Sequence, residues 1–316
     1  MQWDDLRIFL SVAREESLSA AGRELRVDPA TVGRRVARLE EQIGAALFAK
    51  SPQGYALTDA GQRLLDHAIR AEQAVLTARE DIAGQAGRLS GQIRIGAPDG
   101  VANFLLPQVC AAILDANPDL DVQIVALPRL FNLTRREADL AVTVSPPTAG
   151  RLLVHKISDY HLHLAASTAY LARRPDLRRL RDLRDHRVIG YIPDMIFDKE
   201  LDYLGEIHEG RVSLASNSVL VQLNWLRQGA GVGIVHDFAL PAAPELRRVL
   251  TEQISLTRGF YLVRHQDDAR LERMNRFAAL LSDGVRQEVA RLEGKLDKMS
   301  QSADAEGQKS QKEDRR

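Results

Sequence analysis

The sequence predicts an α + α/β protein in three parts: a small helical domain closed by a β-hairpin, one long helix, and a pair of α/β lobes. Three observations predict it. Apolar residues recur at helical spacing, with short breaks, through roughly the first 60 residues. A heptad-like series then runs from Leu64 to Ile82. Beyond about residue 91, strand-like runs alternate with helical segments, and the alternation occurs twice.

Leu6, Phe9, Leu10 and Ala13 mark one face of a first helix. The run EESLS interrupts it, and Ser19 is the expected N-cap of a short second helix ending at Leu25. Asp28-Pro29 reads as an N-cap followed by a proline at the first helical position, so a third helix runs to about Gln42 and stops at Gly44. LFAKSPQGYALT then gives two short strands around SPQG. A long helix is expected from Thr58 to about Ala86. Along it Leu64, Ala68, Ala71, Val75, Ala78 and Ile82 make a seam suited to dimerisation, diluted by three alanines; a helix packed within its own chain is the alternative. GQAGRLSGQ (84–92) is read as a linker.

QIRIGA, DVQIVAL and ADLAVTV are the expected strands of one lobe, and HLHLAAS, HRVIGY, RVSLAS and GVGIVH those of the other. GFYLVRH and the amphipathic run 268–292 come last. The expected domains are 1–60, 61–88 and 89–293, the last divided into a lobe of about 91–160 plus 266–293 and a lobe of about 161–265. The polar, mixed-charge tail 294–316 is read as disordered.

Lys and Arg number 43 and are balanced by 43 Asp and Glu, which excludes a globally basic polyanion binder; any nucleic-acid surface is a local patch. Cys110 is the only cysteine, so an intramolecular disulfide and a Cys-based zinc site are excluded, and in LLPQVCAAIL it reads as core. MQWDDLRIF carries two acids and no apolar stretch, and no apolar run has membrane-spanning length. A cytoplasmic protein without a membrane partner is expected.

The third helix carries the most informative pattern. Val32, Val36, Leu39 and Ile43 form one stripe, and Thr31, Arg34, Arg35 and Arg38 form another about 120° round. Gly33 lies beside the second stripe and lets the backbone approach a neighbouring surface. A short helix, a tight turn and a second helix with arginines in its N-terminal half suit major-groove entry, where Arg binds guanine O6 and N7 together. Lys50 and Gln53 on the hairpin suit phosphate or minor-groove contact. Spacing alone leaves a solvated basic face open as the alternative.

The stretch SLSAAGRELRVDPATVGRRVARLEEQIGAALFAKSPQGYALTDAG resembles the winged helix-turn-helix of LysR-type transcriptional regulators. S-L-S-A-A, V-x-R-x-V, R-L-E-E-x-I-G, A-L-F and G-x-x-L-T-x-x-G stand in the family's order. QIRIGAPDG…LLP, LTRREADLAV, LHLAASTAYLARRP, GAGVGIVHDF and FYLVRH extend the resemblance through the co-inducer domain, leaving only the tail outside it. The family's Ser-Gln-Pro turn and mid-helix serine are here DPAT and Gly33, which bears on base preference. Lys50 stands where the family often has Arg, keeping the charge and losing the bidentate geometry.

The resemblance implies a sequence-specific regulator binding double-stranded promoter DNA, with Ser19, Thr31, Gly33, Arg34, Arg35, Arg38, Lys50 and Gln53 at the DNA. It implies a homo-oligomer, dimer or dimer of dimers, joined through the helix after the wing, and RNA polymerase as a further partner. It also implies two lobes like a type 2 periplasmic binding protein, with a small-molecule effector between them. In such sheets the crevice lies at the carboxyl ends of the strands, which points to Pro98, Asp99, Gly100, Val101, Arg129, Tyr191, Asn217, Ser218 and His236. Asp99 stands where the family often has Ser or Thr and would repel a carboxylate, so the effector is cationic, zwitterionic or neutral, unless Asp99 merely caps its helix.

Rival signals are weak. GAGVGI (229–234) follows a helix and precedes a strand, the reverse of a nucleotide loop, and suits a tight helix-to-strand turn. His161 and His163, with His155 near, lack an acid or Cys to complete a metal set. No nucleophile elbow, zincin or phosphate-loop motif is present, so no enzyme, cofactor or metal is expected. The remaining alternative is a solute-binding sensor or enzyme-like α/β module whose N-terminal helices serve only oligomerisation.

Overall fold

The computed structural model describes residues 1–51, 54–82, 89–126, 138–148, 150–205, 207 and 210–313. The chain divides into two compact units, Met1–Arg88 and Leu89–Arg316.

The first unit begins with α1 (Trp3–Glu15), α2 (Leu18–Leu25) and α3 (Pro29–Ile43). Ser17, not Ser19, caps α2, its side chain accepting from Ala20 N at 3.3 Å. The cap falls two residues earlier because Leu18 already belongs to the helix and packs on the core, leaving Ser19 exposed. Asp28 caps α3, accepting from Ala30 N at 2.8 Å with Pro29 behind it, and Gly44 ends it in the left-handed region at φ 76°. Phe9, Leu10, Val12, Ala21, Val32, Val36, Leu39 and Leu47 make the buried core.

The wing is an antiparallel pair, β1 (Phe48–Ser51) and β2 (Gly54–Leu57), registered Phe48 to Leu57. Glu40 fixes it to α3, its carboxylate accepting from Leu47 N at 2.7 Å and Phe48 N at 3.2 Å. Thr58 then opens α4 (Asp59–Ile82): its hydroxyl donates to Ala46 O at 2.7 Å and accepts from Gly61 N at 3.0 Å. A Cβ on Gly61 would stand 2.0 Å from Leu47 O, which is the physical content of the L-T-x-x-G pattern.

The second unit is built on one nine-stranded sheet. Its strands are β3 (Gly91–Ala97), β4 (Leu120–Ala126), β5 (Leu140–Thr143), β6 (Leu152–Ser167), β7 (Val188–Gly190), β8 (Val212–Ala215), β9 (Val232–His236), β10 (Leu246–Arg248) and β11 (Leu256–His265). The path is β4-β3-β5-β11-β6-β9-β7-β8, with β10 alongside β6. Both ends are parallel, β3 with β4 and β5, and β7 with β8 and β9. The expected parallel lobes are therefore present, but β6 and β11 run antiparallel through the middle of the sheet and belong to both. β6 is 16 residues long but read as a strand of seven, because only Leu162–Ser167 are continuously buried and its first half carries Lys156, Ser158 and Asp159.

Between the strands lie α5 (Asp99–Phe104), α6 (Leu106–Ala116), α7 (Thr168–Leu171) and α8 (Val219–Arg227), and the chain closes with α9 (Glu272–Glu313). The tail expected to be disordered from 294 is helical through Glu313. Leu292 and Leu296, one turn apart, extend the apolar stripe of α9 and are both buried. Charged residues fix the same stretch. Glu293 accepts from His161 N at 2.9 Å and pairs with its ring Nδ1, while Asp297 accepts from Arg248 Nη2 at 3.3 Å.

Candidate nucleic-acid interface and interlobe site

The outer stripe of α3 divides into engaged and free groups. Arg38 lies against Asp5 of α1, whose side chain is fully buried, and reaches Gln2 Oε1 at 3.4 Å. Arg35 stands 3.5 Å from Asp4 and 3.8 Å from Asp5. Both guanidiniums are thus drawn toward the acids of the first turn of α1. Asp5 reads in the sequence as one more N-terminal acid; the signal available was its burial phase, one position before Leu6 on the inner face.

Arg34 is exposed, and its Nη2 donates to Thr31 Oγ1 at 2.9 Å, so these two side chains form a preset pair on the solvent side of the helix. Gly33 faces inward: a Cβ there would stand 3.3 Å from Leu18 Cδ1, so its closeness is to α2. Lys50 is exposed on β1, with Nζ 5.9 Å from the centre of the Tyr55 ring. Gln53 lies outside the described residues.

The seam on α4 is split. Ala68 is buried in the first unit's own core and Leu64 packs against it, whereas Val75 is 40% exposed and Ala78 is exposed. Ala71 is half-buried between these halves, and the side chain of Ile82 is not described. Two of the six seam positions are therefore already used within the chain.

In the second unit the residues after β3, β7 and β9 converge where the lobes meet. Pro98 precedes α5, and Asp99 begins it. The Asp99 carboxylate crosses to the start of α8, Oδ2 accepting from Ser218 Oγ at 3.0 Å and from Leu220 N at 3.2 Å, while Asn103 Nδ2 donates to Oδ1 at 2.9 Å. Ser218 also caps α8, accepting from Val221 N at 3.4 Å, and Asn217 is half-buried beside it. Asp99 does not cap its own helix; it caps α8.

Gly100 is buried against His236, a Cβ there falling 3.3 Å from His236 Cε1. His236 is buried, stacks on Tyr160 at 5.5 Å between centroids, and shares a 3.4 Å contact between Nε2 and the Tyr203 hydroxyl. Burial pushes its pKa down to about 4, so it is neutral near pH 7. Tyr191 meets Tyr203 edge-on at 5.8 Å, and burial first, then the charges of Tyr203 and Asp99, raise its hydroxyl pKa. Val101, expected at the ligand, is instead core, 1% exposed. Arg129 lies outside the described residues.

Lobe II holds a cavity of about 450 Å³, bordered by Tyr191, Tyr203 and, from α8, Gln222. Sequence reasoning missed it because much of its wall comes from the two 3-10 turns 193–195 and 199–201 and the loop residues beside them, which carry no periodic pattern.

The rival signals resolve structurally. A Cβ on Gly231 would meet Arg187 O at 2.3 Å and one on Gly233 would meet Ile189 O at 2.7 Å, so GAGVGI permits close packing of β9 on its neighbour. His163 Nδ1 contacts both Asp237 oxygens at 2.9 and 3.0 Å, and Arg248 donates to the same carboxylate at 3.1 Å. Among the described residues no cluster of His, Cys, Asp or Glu could hold a metal, and no helix is long and apolar enough to cross a membrane. Burial lifts the Cys110 thiol to about 11.

Residues 3–62 match the model for the bacterial regulatory helix-turn-helix protein of the lysR family, and residues 86–286 match the LysR substrate binding domain. The chain is 27% identical to the HTH-type transcriptional activator TtdR of Escherichia coli over 262 residues, 78% of this chain and 82% of TtdR. It is equally identical to the HTH-type transcriptional regulator PtxR of Pseudomonas aeruginosa, over 74% of this chain and 76% of PtxR. Among solved structures, full-length OxyR of Pseudomonas aeruginosa has TM-score 0.66 at 19% identity, covering 90% of this chain and 95% of that one. Full-length LysG of Corynebacterium glutamicum, with its effector Arg bound, has TM-score 0.60 at 22% identity, covering 92% and 99%.

Proposed function

This chain belongs to the LysR family of transcriptional regulators, and on that premise we propose how its residues divide the work. As a family member it is a DNA-binding regulator with an effector-binding domain. The exposed Thr31–Arg34 pair reads base edges in the major groove, and Lys50 holds the phosphate backbone of double-stranded promoter DNA. Ser19, exposed near the start of α2, lies where a backbone contact belongs, and Gln53, which follows β1 in the sequence, is assigned a second one. Arg35 and Arg38 serve chiefly to orient α3 through α1.

The single observation that carries this is the division of labour on α3. Of three arginines in one stripe, two are engaged by α1 acids while Arg34 is held outward by Thr31. Two copies pair through the outer half of α4, where Ala71, Val75 and Ala78 remain after Leu64 and Ala68 have joined the core. Dimers of such dimers then present paired reading heads, which supply the discrimination one head lacks. A small molecule at the interlobe site shifts the population between arrangements of the oligomer, and RNA polymerase is the downstream partner. The protein works in the cytoplasm as a regulator rather than as an enzyme, and holds no cofactor.

The test is binding to DNA upstream of its own gene against scrambled DNA of equal length, at two salt concentrations. Tighter binding to the upstream piece that survives the higher salt is expected. Arg34→Ala should lose roughly 1–3 kcal/mol on that piece and less on the scrambled one. Equal binding to both, erased by salt, leaves only a basic helix face and overturns the reading.

A further inference from the structure

An anion held between two α/β lobes relies on helix N-termini, where free N–H groups and aligned peptide dipoles favour negative charge. At the interlobe site that position is taken. The carboxylate of Asp99, reaching across from lobe I, already accepts from the Leu220 amide and the Ser218 hydroxyl at the start of α8, and from Asn103 on its other oxygen. A ligand carboxylate would have to displace it, or sit beside it at the cost of like-charge repulsion. A ligand cation gains little either, because the negative charge is spent on α8 and drawing it away would uncap that helix.

The neighbouring cavity has the complementary character. Its volume of about 450 Å³ falls within the range of small-molecule sites, roughly 300–1,000 Å³. Tyr191, Ile196, Phe197 and Ile234 wall it, and among the described residues its only charged members are Lys199 and Asp202, of opposite sign. Geometry joins the two features: Tyr203 borders the cavity and its hydroxyl stands 3.4 Å from His236 Nε2, His236 packs on Gly100 next to Asp99, and Gln222, two residues along α8 from Leu220, lines the cavity as well.

We infer that the effector is an uncharged, mostly apolar small molecule seated in the lobe II cavity, with Asp99 the residue that turns carboxylates away. This rests on the regulator reading above, moves the effector from the interlobe crevice into the adjoining lobe II cavity, and specifies the ligand class that the reading leaves open. The assignment of Asp99 also goes beyond its charge: it acts by filling the anion position, not merely by repelling.

Four probes that share one ring and differ in charge test it on the full-length chain: benzyl alcohol, benzamide, benzylamine and benzoate, with dissociation constants from saturation-transfer NMR. The alcohol and amide should bind the native protein at least about ten-fold more tightly than benzylamine or benzoate, a difference of about 1.4 kcal/mol. Asp99→Ala should improve benzoate by about ten-fold or more and leave benzyl alcohol within about three-fold. Asp99→Asn, which keeps an acceptor oxygen for α8, should shift benzoate in the same direction and carries the test if the alanine variant does not fold. Ile196→Trp, which fills the cavity, should abolish binding of the neutral probes. Benzoate bound by the native protein as tightly as benzyl alcohol overturns the inference. So does an unchanged probe order in both Asp99 variants, and so does absence of neutral-probe binding at millimolar concentration. Promoter binding in the same preparations separates the failures: intact specific binding with the wrong charge order leaves the regulator standing, whereas absent DNA binding removes the reading beneath it.

Discussion

Removing the guanidinium of Arg38 strands the carboxylate of Asp5. The Asp5 side chain has no exposed surface, Arg38 bonds its Oδ1 while its Oδ2 has no hydrogen-bond partner, and its second cation, Arg35, stands 3.8 Å away. Breaking a fully buried pair costs about 3–5 kcal/mol, and an exposed pair is worth at most about 1. The Arg38 side chain is 44% exposed, so water screens its end of the pair and the expected loss for Arg38→Ala is about 2 kcal/mol. With a urea slope of about 1 kcal/mol/M for a unit of this size, the midpoint should fall by about 2 M. Trp3 sits in α1 and packs on the first unit's core, so its fluorescence in a Trp225→Phe background reports the first unit alone. Adding Asp5→Asn should recover about half the loss, because the uncompensated charge goes with it. If Arg38→Ala leaves the Trp3 transition in place yet abolishes the preference for promoter over scrambled DNA, Arg38 reads bases and the orienting role assigned to it is wrong.

Three further outcomes test other links. Gly61→Ala places a methyl 2.0 Å from the Leu47 carbonyl and should cost more than about 3 kcal/mol, seen as insolubility or loss of the Trp3 transition. Truncation after Leu292 removes Leu296 and the Glu293 contacts to His161, and should destabilise the second unit by about 2 kcal/mol in urea unfolding read by Trp225, while truncation after Met299 should leave it unchanged. His236 titrates near 4 folded against 6.5 unfolded, so its neutral form stabilises the fold above pH 6.5. That contribution, roughly 3 kcal/mol, is lost as pH falls from 6.5 toward 4, because the unfolded chain binds the proton first. His161, whose imidazolium is favoured by Glu293, acts in the opposite sense: its contribution is full below pH 6.5 and disappears as pH rises through its raised folded value. His236→Gln should flatten the acid limb of the stability profile, and an unchanged limb assigns it elsewhere.

Local chemistry wrote much of this protein plainly. Asp28-Pro29 starts α3 and Gly44 ends it because capping involves groups within four residues of one another. The strand runs and the turn residues between them were legible for the same reason. That Asp99, Ser218, Tyr191 and His236 lie near one another could be anticipated from their places at or just after strand ends, a rule of topology rather than of contacts. Tertiary structure alone decided who holds whom. Asp5 meets Arg38 across 33 residues, Asp99 reaches Ser218 across 119, and Glu293 holds His161 across 132. Those pairings tie two arginines expected at the DNA to acids of α1, give the start of α8 to the chain's own carboxylate, and draw a tail read as disordered into a helix. Periodicity and capping act over one or two turns, so they specify elements. The energy of a buried charge depends on what long-range packing brings beside it, and no window along the chain contains that information.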